Sequence, residues 1–242
     1  MVEAVRLRRA RARKDAGRTL VEGPHLLADL VRFGVPIDRI FALPDDAASA
    51  TLAADARTEL VVVDESVLRK VADTDNPRGP VTVIPIPTSA RHHGSVVVLW
   101  DIADPGNAGT VIRTAAAFGF GVVMASNSVD VWSPKTIRAG GGGHFATDIE
   151  VAPLLTLSEL RVRGLQTVAT VGTGGVGSSE IPDGPVAILV GSEAHGLPAD
   201  VVAAADWRFT IPMPGGTESL NAAVAASIAL YVIGNRSTES RG

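Results

Sequence analysis

The feature that most constrains this chain is an alternation. Short apolar runs are separated, almost throughout, by stretches with helical patterning. In the second part, Val96 to Trp100, Gly121 to Met124, Gln166 to Val171, Val186 to Val190 and Trp207 to Ile211 read as strands. Between and after them lie helical segments: Asn107 to Phe118, stopped by Gly119, Pro134 to Ala139, a short helix after Pro198, and the Ala-rich stretch Leu220 to Ile233. Thr156-Leu-Ser-Glu159 is a capping-box pattern that opens a helix to about Arg163. Strands separated by helices predict a mainly parallel sheet covered on both faces. Ligands in such sheets sit at the carboxyl ends of the strands, which singles out the loops after Trp100, Val190 and Ile211.

The first part alternates too. Gly23-Pro24 opens a helix, His25 to Phe33, closed by Gly34. Strands are expected at Ile40 to Leu43, Leu60 to Val63 and Val81 to Ile86, with helices at Ala47 to Asp55 and Ser66 to Ala72. Pro85, Pro87 and the run Thr88 to Gly94 read as a linker. The expected division is a basic arm over 1–18, a small α/β domain over 19–87, a linker over 88–95 and a larger α/β domain over 96–242.

Composition removes several classes. With 46% hydrophobic and 20% charged residues the chain is not disordered. The absence of cysteine excludes a disulfide scaffold, thiolate zinc sites and cysteine nucleophiles. No signal-peptide pattern is visible, since Arg6 to Lys14 is basic with no apolar run behind it. The longest apolar stretch, Ala222 to Ile233, is shorter than the roughly 20 residues of a membrane span. A cytoplasmic location with no membrane contact is expected.

Charge is uneven. Arg6, Arg8, Arg9, Arg11, Arg13, Lys14 and Arg18 face only Glu3 and Asp15, so residues 1–18 carry +5 and the remainder −9 of the net −4. Such a block suits phosphate binding, and arginine suits it bidentately. A solvated N-terminal helix is the other reading.

Some apparent motifs lead nowhere. Gly172-Thr-Gly174-Gly-Val-Gly177 matches a dinucleotide fingerprint by letter, but Ser178 to Pro185 leaves no room for the helix that would face a pyrophosphate. It reads as a mobile glycine loop, and a nucleotide-dependent oxidoreductase rests on it alone. The five histidines show no ligand spacing, so no metal is expected. No P-loop and no Gly-x-Ser-x-Gly elbow occur.

Three loops at strand ends carry unusual sequences. The first is Asp104-Pro-Gly-Asn107-Ala-Gly109-Thr-Val-Ile-Arg113, where Asn107 is placed as an N-cap and Arg113 nearly two turns into the helix. A guanidinium there could meet a phosphate or an oxygen developing negative charge, or could be an ordinary exposed arginine. The second is Leu189-Val-Gly191-Ser-Glu193-Ala-His-Gly196-Leu197, in which Glu193 either faces a ligand or caps the next helix. The third is Ile211-Pro212-Met213, followed by Ser219-Leu220-Asn221 at the start of the last helix.

Taken in order, these loops resemble the three signatures of the SpoU (TrmH) family of RNA ribose 2′-O-methyltransferases in the SPOUT superfamily. Glu22-Gly23 and Asn76-Pro77-Arg78-Gly79 more weakly resemble the ribosomal-protein-like RNA-binding domain that many members carry. The resemblance implies a parallel-sheet domain with a deep trefoil knot and a homodimer with the site at its interface. It also implies S-adenosylmethionine as methyl donor, held by Gly191, Ile211 and Leu220, with Leu189, Met213 and Asn221 nearby. Arg113 is implied in activating the ribose hydroxyl. Because guanidinium almost never deprotonates, stabilising the alkoxide and clamping a phosphate is the physically easier role. Asn107, Glu193, Ser219 and Asn221 would position RNA and the active loops, and Arg6, Arg8, Arg9, Arg11, Arg13 and Arg18 would contact RNA. The small N-terminal domain favours ribosomal over transfer RNA; a non-catalytic RNA-binding protein that kept the fold is the competing class. Arg138 to Phe145 is richer in glycine than the family pattern, which leaves the shape of that loop open.

Overall fold

The computed structural model describes residues 2–77, 79–217 and 219–235. Arg78, within the Asn76–Gly79 segment quoted above, and Glu218, just before Ser219, lie outside them. The chain forms two compact units: Met1–Thr88 with Asp130–Ala146, and Ser89–Val129 with Thr147–Gly242.

The first unit opens with two short helices, α1 (Val2–Arg6) and α2 (Ala10–Ala16), and continues through β1 (Arg18–Glu22), α3 (Pro24–Arg32), β2 (Arg39–Ala42), α4 (Ala47–Asp55), β3 (Leu60–Val62), α5 (Glu65–Val71) and β4 (Val81–Pro85). The four strands make one sheet in the order β1-β4-β2-β3, with β4 antiparallel to β1 and β2, and β2 parallel to β3. Strand alternation divides the core. Ile40 points to one side with Leu27 and Ala53, while Leu20, Phe41, Val81 and Val83 point to the other with Leu7, Leu68 and Val71.

Residues 1–18 therefore fold as part of this unit. Leu7 is buried in the core, and Gly17 turns the chain into β1 at φ 61. Arg13 is buried, its Nη1 donating to the carbonyls of Leu7 (2.9 Å) and Arg8 (3.0 Å) and its Nη2 meeting Asp130 at 2.5 Å. Arg18 pairs with Asp38 at 2.6 Å. Arg6, Arg8, Arg9 and Arg11 are exposed.

The second unit begins with β5 (Val96–Trp100), α6 (Pro105–Ala117) and β6 (Gly121–Ala125). The chain then supplies α7 (Pro134–Gly140) and α8 (Gly143–Ala146) to the first unit. There the Thr19 hydroxyl donates to the Trp132 carbonyl at 2.6 Å. The glycine-rich run is the junction of these two helices. Gly141 takes φ 54, a conformation that favours glycine, and Gly142 lies against the Asp29 carboxylate.

The second unit resumes with β7 (Ile149–Ala152), α9 (Leu157–Val162), β8 (Gln166–Thr170), β9 (Val186–Val190), α10 (Ala199–Ala204), β10 (Trp207–Phe209) and α11 (Ala222–Gly234). Its six strands are all parallel, in the order β10-β8-β9-β5-β6-β7. Every residue of β6 and β9 is buried, as expected of strands covered on both faces. Thr156 caps α9 with the full capping box. Residues 89–92 run along the outer edge of β7: Ala90 N–H donates to the Ile149 carbonyl (3.2 Å), Val151 N–H to the Ser89 hydroxyl (3.1 Å), and His92 meets Asp148 at 2.9 Å. This covers a strand edge that would otherwise offer unpaired backbone groups.

His144 is a buried histidine of the first unit. Its Nε2 lies 3.1 Å from the Val131 carbonyl, its ring meets Trp132 edge-on at 5.8 Å, and its Nδ1 is buried without a partner. Desolvation depresses its pKa from 6.5 to about 4. The unfolded chain then binds more protons between those values, so stability is full above pH 6.5 and falls as the pH drops towards 4. The loss is on the order of 3 kcal/mol. His144→Phe is expected to flatten the pH dependence of denaturant midpoints across that window; an unchanged dependence would remove His144 as its source.

Candidate active site

The first loop leaves β5 through Asp101, held at φ 59, a conformation uncommon for a non-glycine residue. It enters α6 at Asp104, whose carboxylate accepts from the Asn107 N–H at 2.8 Å. The N-cap is thus Asp104, not Asn107. Both residue types cap well, and the Pro-Gly pair between them fits the first turn. The difference matters because it frees the Asn107 side chain. Its Nδ2 donates to Glu193 Oε1 at 2.7 Å, and its Oδ1 accepts from Asn221 Nδ2 at 3.0 Å. Asn221 in turn caps α11, its Oδ1 accepting from the N–H groups of Ala223 (2.9 Å) and Val224 (3.2 Å). One amide from each of two helix starts and one carboxylate therefore tie the three loops together. The helices that follow are themselves paired, with Thr114 Oγ1 3.1 Å from Ser227 Oγ.

Beside this junction, at the carboxyl ends of β8 and β9, lies a cavity of about 450 Å³. Gly191, Glu193, Ile211, Met213, Ser219, Leu220 and Asn221 line it, as do Thr170, Val171 and Gly172. Leu189 does not. It sits within β9, fully buried in the core, where its carbonyl accepts from the Thr170 hydroxyl at 2.8 Å. Asn107 reaches the cavity only through its partners Glu193 and Asn221. Arg113 projects from α6 exposed, with no hydrogen bond or ion pair among the described residues. Among the described residues the main-chain N–H groups of Ile211, Met213 and Leu220 are also without hydrogen-bond partners. Donors left open on an apolar wall suit a ligand with acceptor atoms at its edge.

The loop after β9 closes tightly on itself. Ser192 and Gly196 exchange main-chain hydrogen bonds of 3.2 and 2.9 Å. A Cβ on Gly191 would fall 2.1 Å from the Gly196 carbonyl carbon, so no side chain fits there.

The Gly172–Gly177 run, expected as a mobile loop, is fastened to β10. Gly175 N–H donates to Thr210 Oγ1 at 2.9 Å, Val176 exchanges main-chain bonds with Arg208 and Thr210, and a Cβ on Gly175 would meet the Arg208 carbonyl oxygen at 2.7 Å. Gly175 serves this close backbone approach, while Gly172, with open space around it, lines the cavity. Thr170 to Gly172 were thus missed as cavity residues, although a glycine run directly after a buried strand was the available signal. Among the described residues no group of three or more His, Asp or Glu side chains could hold a metal ion.

Residues 94–231 match the SpoU rRNA Methylase family, and residues 2–82 match the MRM3-like substrate binding domain. The chain belongs to the SpoU rRNA methylase family. It is 29% identical over 230 residues to the 23S rRNA (guanosine(2553)-2′-O)-methyltransferase RlmP of Bacillus subtilis, covering 93% of this chain and 92% of that one. It is also 29% identical over 238 residues to the 23S rRNA (uridine(2479)-2′-O)-methyltransferase of Streptomyces viridochromogenes, covering 90% and 83%. The crystal structure of the SpoU methyltransferase AviRb from Streptomyces viridochromogenes, in complex with AdoMet, superposes with a TM-score of 0.86 at 25% identity, covering 98% of this chain and 97% of that one. All three joined loops of this SpoU chain fall within the matched residues 94–231.

Two glycines at the cavity should respond differently to the same change. Gly191→Ala sets a Cβ against backbone that cannot move aside and is expected to cost more than about 2 kcal/mol in denaturant unfolding. Gly172 has open space around its Cβ position, so Gly172→Ala should stay within about 0.5 kcal/mol of the parent. Equal losses at both positions would show that the close packing around Gly191 is not what holds the loop.

Proposed function

We propose that the protein transfers a methyl group from S-adenosylmethionine to a ribose 2′-hydroxyl of ribosomal RNA. The observation that carries this reading is the junction of Asn107, Glu193 and Asn221 beside the cavity, with an unpaired arginine on the same helix as Asn107. Relatives similar along nearly the whole chain are named as 23S rRNA 2′-O-methyltransferases, and a similar solved structure is an AdoMet complex. The cavity fits that cofactor. At about 450 Å³ it lies in the range for small-ligand sites, with apolar walls from Val190, Ile211 and Met213 and open main-chain donors in the loops.

When bound, S-adenosylmethionine supplies an electrophilic sulfonium methyl and a neutral thioether leaving group. The residues of this chain have then to hold and orient, and to favour oxygen as it becomes anionic. Asn107 keeps Glu193 at the cavity rim, and Asn221 fixes the Asn107 amide, so the three loops meet in one geometry. Ser219, exposed on the lining, is within the loop that would meet the ribose. The Arg113 guanidinium acts as a charge, stabilising the developing alkoxide and gripping the adjacent phosphate, while the hydroxyl proton passes to solvent water.

The protein is proposed to work as a homodimer through the exposed apolar face of α6 and α11. Val224, Tyr231 and Phe118 are exposed there, and the Phe118 and Tyr231 rings stack edge-on at 5.8 Å. Arg113 lies on one of these two helices, so a second copy would bring its own arginine near the same face. The trefoil knot of the family is proposed for this chain as well, the closed loop after β9 and the stretch from Ile211 to Asn221 being the segments that would form it. A cytoplasmic site of action is proposed with the ribosomal substrate; among the described residues no helix is long and apolar enough to cross a membrane.

Labelled methyl should pass from S-adenosylmethionine into one ribosomal RNA from cells lacking the enzyme, with transfer RNA unlabelled. Label confined to transfer RNA would overturn the ribosomal assignment. Arg113→Ala is expected to lower the transfer rate about 10²-fold or more while cofactor affinity stays unchanged; equal loss of both would remove Arg113 from the transition state.

RNA contact by the basic N-terminal residues is proposed for those left exposed. Changing Arg8, Arg9 and Arg11 together to Ala should flatten the slope of log affinity against log salt by about 2 to 3. An unchanged slope would return these residues to a solvated surface. Arg13→Ala should act on stability instead, since it strands the Leu7 and Arg8 carbonyls and Asp130.

A further inference from the structure

The first unit has a cavity of its own, about 270 Å³, between α1 and the end of the sheet where β1, β2 and β4 meet. Its floor is apolar: Leu7, Phe41 and Val83, all buried. Its rim is charged, with Glu3, Arg18, Asp38 and Arg39. The rim charges are not equivalent. Arg18 is fixed, its Nε donating to Asp38 Oδ2 at 2.6 Å and its Nη1 to the Ala16 carbonyl at 3.2 Å. Arg39 is engaged by Glu59 at 2.8 Å. Glu3 is exposed and makes no ion pair or hydrogen bond among the described residues.

An apolar floor beside a fixed planar guanidinium and a free carboxylate excludes most ligands. A small anion would face Glu3 and Asp38, and a metal ion would face Arg18 and Arg39. A flat heterocycle satisfies all three features: it covers the floor, stacks on the guanidinium, and offers its edge to the carboxylate. Among the RNA bases, guanine alone presents two adjacent donors, N1–H and N2–H, that match the two oxygens of a carboxylate. Arg8 and Arg9, exposed just beyond Leu7, stand ready for flanking phosphates, which position a strand without reading it.

We propose that this cavity receives an unpaired guanine base of the RNA substrate and reads it through Glu3. The proposal rests on the reading of the protein as an RNA methyltransferase and adds to it a base-selective site in the N-terminal unit, separate from the cofactor cavity.

The test is calorimetric titration of the full chain, saturated with S-adenosylmethionine to occupy the other cavity, with GMP, IMP, AMP and UMP. GMP is expected to bind about tenfold or more tightly than AMP and UMP, and more tightly than IMP, which lacks the 2-amino group. Glu3→Gln, an exposed change that leaves the fold intact, should abolish that preference and leave S-adenosylmethionine affinity unmoved. Equal affinity for GMP and IMP, or an unaltered preference in Glu3→Gln, overturns the guanine site. If discrimination is absent while ribosomal RNA is still methylated, the site is lost and the methyltransferase reading stands. If discrimination is present and methylation absent, the site stands and the activity does not.

Discussion

The arrangement of the candidate active site depends on one side-chain amide. Asn107 uses both ends of its carboxamide, donating to Glu193 and accepting from Asn221, and each partner belongs to a different loop. Loops at strand ends are ordinarily the most variable part of a parallel-sheet protein. Here three of them are held at hydrogen-bond distance by groups that are themselves anchored. Asn107 lies in the first turn of a helix capped by Asp104, and Asn221 is the cap of another. Each hydrogen bond contributes only about 1 kcal/mol net. Their worth is in orientation, because groups fixed before a substrate arrives lose less freedom when it binds.

The same economy of structure explains the glycines. Gly191 and Gly175 both sit where a Cβ would overlap main-chain atoms of a neighbouring segment. Their positions let the loop after β9 fold back on itself and the run after β8 lie against β10. The walls of the cavity are therefore backbone for much of their extent. A wall of main chain is hard to alter by substitution and presents donors and acceptors at fixed spacing. That is suited to a ligand which stays the same while target RNAs differ among relatives.

The strands were legible to within a residue or two: Val96–Trp100 and Val186–Val190 fall where the apolar runs place them. Helix α9 was legible to its capping box. What failed did so for physical reasons. Strand β1, Arg18–Glu22, is flanked by charge and merged into a basic arm, and the stretch before it brings little more than Ala4 and Leu7 to the apolar core. Strand β7 carries Glu150 in its middle, met by Arg163 at 2.6 Å from the end of α9 and by Arg91 at 3.5 Å, pairings that the strand's own sequence does not announce. Asp104 and Asn107 are both good caps three residues apart, and only the folded turn chooses between them. The candidate site was legible as a set of loops, since each loop had to join a strand end to a helix. Which atoms would meet was not, since the pairing of Asn107 with Glu193 spans 86 residues.

Arginine shows most clearly where sequence stops short. Arg13 and Arg113 are both helical arginines, and charge counting treats them alike. In the structure one is enclosed, with its guanidinium spent on two carbonyls and Asp130, and the other is open to solvent with no partner among the described residues. A buried arginine is constrained by the cost of leaving any of its donors unmet, so it holds a helix hairpin in place and can do little else. An unpaired one keeps its five donors for a ligand and can answer charge that appears only during a reaction. For Arg13 the distinction is made by a neighbour far along the chain, Asp130. Position within the fold, more than residue type, sets the role of each.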